Sequence, residues 1–173
     1  MDETVTKDLS ALVAEHYAAV YRYAYRLSGT AADAEDLTQQ AFLAAQRKLD
    51  QLRGMDAARG WLFTIVRNCF LAARRQNQPN VASGELRWDE LPEEAAAPTA
   101  IDSELLQRAL DALPEEYRLV VLMYYFEDSS YREIAETLEI PVGTVMSRLS
   151  RAKACLRAGL WGPRLKELLV VKH

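Results

Sequence analysis

The stretch SYREIAETLEIPVGTVMSRLSRAKACLR, Ser130 to Arg157, reads as two short helices joined by a tight turn. Ser130 and Glu133 have the spacing of a capping box, and Ile134, Ala135 and Leu138 then place an apolar stripe on one face of a short helix. Pro141 suits the opening of a second helix. In that helix Val145, Leu149, Ala152 and Leu156 fall at core-facing positions, while Thr144, Ser147, Arg148 and Arg151 fall on another face. Between Ile140 and Lys166 there is no Asp or Glu, so the presented face is cationic, as a helix entering a major groove must be. A helical domain can contain a short helix, a turn and a basic helix without touching DNA. The coincidence of cap, turn proline and acid-free helix argues for a helix-turn-helix that reads duplex DNA. Glu139 stands where many such turns place a glycine, which predicts a strained or differently shaped turn.

The chain has 173 residues, half of them hydrophobic, which suits one domain or two small ones. Its net charge of -4 is unpromising for a nucleic-acid binder until it is divided along the sequence. Residues 1–80 carry ten basic and nine acidic residues, 81–104 one and seven, and 105–173 ten and nine. The acidity therefore belongs to the middle, and any DNA argument rests on local basic faces. The start, MDETVTKDLS, has neither the basic opening nor the apolar run of a secretory signal, and nothing approaches the ~20 apolar residues of a membrane span. The expectation is a cytoplasmic protein with no membrane insertion. Cys69 and Cys155 are far apart and read as reduced core thiols, and His16 and His173 form no cluster with them. No metal and no cofactor are expected.

Working back towards the N-terminus, Leu9, Leu12, Val13, Tyr17, Val20, Tyr21, Ala24 and Leu27 follow helical spacing until Ser28-Gly29. Thr30 can cap a second helix, with Asp33, Glu35 and Asp36 in its first turns, that runs to about Leu52. A third helix spans Ala57 to Arg75, with Leu62, Ile65, Val66, Cys69 and Ala73 facing inward. Residues 76–104 turn polar and then acidic, a composition that reads as a linker. Beyond it, Leu105, Leu106, Ala109, Leu110 and Leu113 form one helix face and Pro114 opens another helix through Phe126. After Gly162-Pro163 the tail reads as one more short helix or a frayed end. The fold class is all-α: two small helical domains, 1–78 and 104–173, joined by a flexible acidic linker, 79–103, the second being the helix-turn-helix domain.

The third helix carries a second constellation. Thr64, Arg67, Asn68, Leu71 and Arg75 share its outer side, with Trp61 and Phe63 flanking. Cations that follow a backbone, rings that stack on bases and an amide that bonds a base edge suit single-stranded nucleic acid. For the two rings by themselves, packing in the core is the stronger reading.

These motifs together resemble the extracytoplasmic-function sigma factors, the smallest group of bacterial RNA polymerase sigma subunits. The resemblance covers nearly the whole chain and rests on DAEDLTQQAF (Asp33 to Phe42), GWLFTIVRN (Gly60 to Asn68), LDALPEEYRLVVLMYYFED (Leu110 to Asp128) and YREIAETLEIPVGTVMSRLSRAKACLR (Tyr131 to Arg157). It implies an N-terminal domain that binds the polymerase clamp and melts the minus-ten element, and a C-terminal domain that reads the minus-thirty-five element. Its implied partners are core RNA polymerase, promoter DNA both duplex and single-stranded, and an anti-sigma factor. By position, Asp36, Gln39 and Gln40 match polymerase-binding residues, with Phe42 in the core. Arg53, Trp61, Thr64, Arg67, Asn68 and Arg75 match the promoter-melting segment. Tyr131, Arg132, Thr144, Ser147, Arg148, Arg151 and Lys153 match DNA contacts. The resemblance also implies that the acidic connector runs through polymerase channels otherwise used by nucleic acid. Gln40, Ala72 and Met146 depart from the usual Glu, Asp or Asn, and Arg, which touches clamp contact and base choice.

The expected function is a non-catalytic specificity subunit that directs core polymerase to promoters. The alternative is a conventional helix-turn-helix repressor or activator of duplex DNA. An enzyme is poorly supported, because the chain has no metal cluster, no phosphate-cradling glycine loop and no nucleophile with a base.

Overall fold

The structure is a computed structural model that describes residues 9–77 and 103–170, with side chains described up to Gly159. Every described element is helical. The order is α1 (Leu9–Ser28), α2 (Ala31–Arg47), two 3-10 turns (Leu49–Gln51 and Met55–Ala57), α3 (Ala58–Asn77), α4 (Ser103–Asp111), α5 (Glu115–Phe126), α6 (Tyr131–Leu138) and α7 (Val142–Val170). The expected linker falls almost wholly on residues 78–102, outside the described residues. The chain forms two compact units, one built on α1 to α3 together with Phe126–Asp128, the other on α4 to α7.

In the first unit α1, α2 and α3 pack pairwise. Leu12, Val20, Ala24 and Leu27 of α1 meet Ala34, Leu37, Ala41 and Ala45 of α2 and Leu62, Val66 and Phe70 of α3 in the core. The three alanines Ala34, Ala41 and Ala45 are fully covered, and their small side chains let α2 lie close to its neighbours. Gly29 turns the chain at φ 80°, a left-handed conformation that suits glycine. Thr30 then caps α2, its hydroxyl accepting from the Asp33 N–H at 3.2 Å.

Two expectations for this unit are corrected. Tyr17 and Tyr21 follow the helical spacing of the apolar residues of α1, but Tyr17 is 47% exposed, stacks on Tyr21 and Phe42, and begins a ladder that continues from Tyr21 to Tyr25. The buried tyrosine is Tyr23, whose ring stacks on Phe63 with centroids 4.5 Å apart. Helix α2 stops at Arg47 rather than near Leu52. Lys48 leaves helical geometry, and a 3-10 turn delivers Leu52 to the core.

In the second unit α4 and α6 both pack on α7. Helix α5 buries Tyr117, Leu119, Val120, Val121, Leu122 and Met123, which lie on more than one side of the helix, as befits its continuous apolar sequence. The capping box at Ser130 is complete: Glu133 N–H donates to the Ser130 hydroxyl at 3.2 Å, and Ser130 N–H donates to the Glu133 carboxylate at 2.7 Å. The Ser130 N–H, and then the Ser130 hydroxyl, which donates to the same carboxylate at 2.8 Å, hold the Glu133 carboxyl below its ordinary range. Glu139 ends α6 in the left-handed region at φ 55°, as its place in the turn predicts, and both its own N–H and that of Ile140 reach the Ala135 carbonyl. Pro141 then opens α7, with its carbonyl accepting from the N–H groups of Thr144 and Val145. Helix α7 continues through Gly162-Pro163 to Val170, so the tail backbone is neither a separate helix nor a frayed end.

Candidate nucleic-acid interface

On α7, Val145, Leu149 and Ala152 are buried as their spacing requires, and this fixes which residues face outward. Gly143, Met146, Ser147, Ser150 and Arg151 are exposed and form one outer face. Ser147 and Arg151 thus stand where the sequence places them. Thr144 and Arg148 do not stand free beside them. Both are half-buried on the flank of the helix, and the Arg148 guanidinium pairs with the Glu116 carboxylate of α5 at 3.3 Å. For Arg148 the reason is the Glu116 carboxylate of α5, which draws its long side chain against the body of the unit. Lys153 is also half-buried, its ammonium lying 5.4 Å and 5.7 Å from the ring centroids of Tyr124 and Tyr125. Tyr131 stacks on Tyr124, and Arg132 is exposed in the first turn of α6. Spacing alone marks neither Met146 nor Ser150 as part of the outer face. Burial of Val145 and Leu149 does.

On α3, Asn68 and Arg75 are exposed and Trp61, Thr64 and Leu71 are half-buried along the same side. The Thr64 hydroxyl donates to the Gly60 carbonyl at 3.1 Å. Arg67 is the correction here. It is buried rather than on the outer face, and its guanidinium pairs with the Glu127 carboxylate, in the short segment that belongs to this unit. The Tyr23 hydroxyl donates to the same carboxylate. Burial, and then the nearby Glu127 charge, hold the Tyr23 phenol well above its ordinary value, while burial raises Glu127 against the pull of Arg67. Arg67 lies next to buried Val66 in the helix, so it can reach inward where a partner acid waits. Its Nη2 donates to Asn68 Oδ1 at 3.3 Å, which leaves the amide N–H2 of exposed Asn68 as its donor group. Phe63 is buried and belongs to the core, as the packing argument for the rings expects. Arg53 is exposed just after buried Leu52.

On α2, Asp36, Gln39 and Gln40 are exposed, and they share a stripe with exposed Leu43 and Arg47. Leu43 is 56% exposed, an apolar residue at the centre of a polar stripe. The stripe has spacing i, i+3, i+4, i+7, i+11, and that pattern could have found Leu43 in the sequence. Phe42 is covered, on the core side.

Among the described residues no group of three or more His, Cys, Asp or Glu could hold a metal, and no described helix is long and apolar enough to cross a membrane. Cys69 and Cys155 are unbridged and half-buried, and burial raises both thiols above their ordinary value. Among the described residues three exposed faces stand out: a cationic helix face on the helix-turn-helix, an amide-and-cation stripe on α3, and a polar stripe with one leucine on α2.

Two family models match the chain: Sigma-70 region 2 over residues 12–79 and Sigma-70 region 4 over residues 103–156. The chain is 36% identical over 156 residues to ECF RNA polymerase sigma factor SigL of Mycobacterium tuberculosis, with 88% of each covered. It is 40% identical over 162 residues to ECF RNA polymerase sigma factor SigE of Mycolicibacterium smegmatis; that match takes in 90% of this chain and 63% of the relative, so the chain spans under two thirds of the longer protein. Among solved structures it is similar to the sigma factor RpoE of Bartonella quintana in complex with the anti-sigma factor NepR, at a TM-score of 0.60 and 27% identity, covering 90% of this chain and 98% of that one.

Proposed function

Because the chain belongs to the family of ECF RNA polymerase sigma factors, we propose that it directs core RNA polymerase to specific promoters and stabilises their opening. The observation that carries this reading is the presence in one chain of a helix-turn-helix with an acid-free outer face and a separate α3 stripe presenting Asn68, Arg75 and partly covered Trp61. A duplex-binding repressor needs the first and has no use for the second.

The first half of α7 enters the major groove of the minus-thirty-five element. Ser147 and Arg151 face the base edges and Arg148 is steadied by Glu116, while Arg132, Tyr131 and Lys153 lie towards the backbone. At the minus-ten element the amide of exposed Asn68 bonds a flipped or unstacked base. Trp61 offers a partly exposed ring beside it, and Arg75 and Arg53 meet phosphates, with Thr64 on the same face. Capturing unpaired bases offsets the cost of unstacking them, so the protein favours the open state without performing any covalent chemistry. RNA synthesis belongs to the polymerase. Asp36, Gln39, Gln40 and Leu43 on α2 contact the polymerase, the leucine adding apolar surface to be buried within a polar stripe. The likeness to sigma factors held by anti-sigma proteins supports an anti-sigma partner, and the cytoplasm, where polymerase works, is the site of action.

The test is assembly with core polymerase followed by permanganate reactivity of promoter thymines. Holoenzyme should expose unpaired thymines around the minus-ten element. Duplex binding by the chain alone, with no polymerase association and no reactive thymines, would leave the repressor reading in its place.

A further inference from the structure

Two apolar side chains stand in solvent at the start of α7. Val142 is 41% exposed and Met146 52% exposed. They lie one turn apart, so their side chains are neighbours on the helix surface. Gly143, between them, is exposed, and a Cβ there would find no atom within 4 Å. Packing therefore does not demand a glycine, whereas a bare backbone lets the helix approach a surface closely. Ser147 and Arg151 continue the exposed face, and no acid stands between Ile140 and Lys166.

An apolar patch in this place has a specific chemical complement. The first turns of the second helix of a helix-turn-helix meet base edges, and the one apolar group a major groove displays is the C5 methyl of thymine. A flexible thioether side chain fits around such a methyl, while neither Met nor Val can bond a guanine edge or a phosphate. We propose that Val142 and Met146 are specificity-determining residues that read thymine methyl groups, so that the upstream promoter element of this protein carries thymine where they touch it. The inference rests on the reading of α7 as the duplex-reading helix and adds the base class that it selects.

The experiment uses holoenzyme made with the full chain. Upstream elements are selected from a randomised duplex library, and each thymine of the winning site is then replaced, one at a time, by deoxyuridine, which lacks only the methyl. Wild type should lose roughly fourfold in affinity at one or two adjacent thymines, the value of one buried methyl group. Met146→Ala should bind the thymine site about fourfold more weakly and lose the distinction between thymine and uracil at one of them, while Met146→Leu keeps it. Far-ultraviolet circular dichroism checks that these surface variants keep their helices. Indifference of wild type to every uracil, or equal methyl sensitivity in Met146→Ala, overturns the proposal and leaves the patch to a protein partner. A selected element without methyl dependence sinks this inference alone. No selected upstream element at all sinks it together with the reading of α7.

Discussion

Arg67 and Asn68 are neighbours in sequence with opposite surroundings. Arg67 is buried against Glu127, and Asn68 is exposed with its oxygen held by Arg67. Arg67→Ala should lower stability by on the order of 3 kcal/mol, because it leaves a carboxylate covered and unpaired. Thermal unfolding would register that loss. Asn68→Ala should leave the melting temperature unchanged and reduce open-complex formation. A promoter already mismatched at the minus-ten element should restore part of it, since unpairing no longer has to be offset by captured bases. Equal permanganate reactivity for wild type and Asn68→Ala on matched duplex would remove Asn68 from melting. On α7, Arg151→Ala should cost promoter affinity about 1–3 kcal/mol with little change in stability, measured as holoenzyme binding to matched and mutated elements. These residues also mark the reach of the sequence. The polar type and helical face of Asn68 and Arg151 were legible from spacing. The burial of Arg67 and the tethering of Arg148 were not, because their partners Glu127 and Glu116 lie 60 and 32 positions away and periodicity reports nothing at that range.

Capped helix ends were the most legible elements, because a cap is a local bargain between a side chain and the nearest N–H groups, whereas the C-terminal ends of α2 and α7 were not. Thr30, Ser130 with Glu133, and the left-handed Glu139 all stand in the roles their positions predict. Ser130→Ala should destabilise the helix-turn-helix unit by about 1 kcal/mol. The Glu133 carboxyl is held below its ordinary range by the Ser130 N–H and hydroxyl, so the stabilisation from that bond is present above the unfolded carboxyl's pKa and is lost as pH falls through the lower folded value. The difference between wild type and Glu133→Ala in thermal unfolding should therefore narrow towards acid pH, and a constant difference would contradict the capping account. The phase of α1 was harder to read. Tyr17, Tyr21 and Tyr25 repeat every four residues beside the stripe of Val20, Ala24 and Leu27, and a tyrosine satisfies either water or core. Only the packing of Tyr23 on Phe63 settles which ring goes inside, and Phe63→Ala should accordingly cost about 3–5 kcal/mol in the unfolding free energy.

At the scale of the whole molecule the sequence separates charge from recognition. Residues 81–104 carry seven acids and one base, while the two flanking parts are close to neutral, so the overall charge hides the cationic face of α7. Neutralising Glu90, Glu93 and Glu94 to Gln should leave helix content and melting temperature as they are and weaken polymerase binding or early initiation, if the connector's acidity imitates a nucleic-acid backbone in the polymerase. Abortive-product assays would show it, and unchanged initiation would reduce the connector to a tether. The division into a three-helix unit and a helix-turn-helix unit was readable because each has its own apolar periodicity; which side chains end up exposed was readable only in part, since exposure depends on the neighbouring helix. The central claim is that one chain supplies both duplex reading and promoter opening to a polymerase. Run-off transcription with purified core polymerase and a promoter library tests it most directly: adding the chain should produce discrete transcripts from templates sharing a common upstream and minus-ten element, and the same transcript pattern with and without the chain would contradict it.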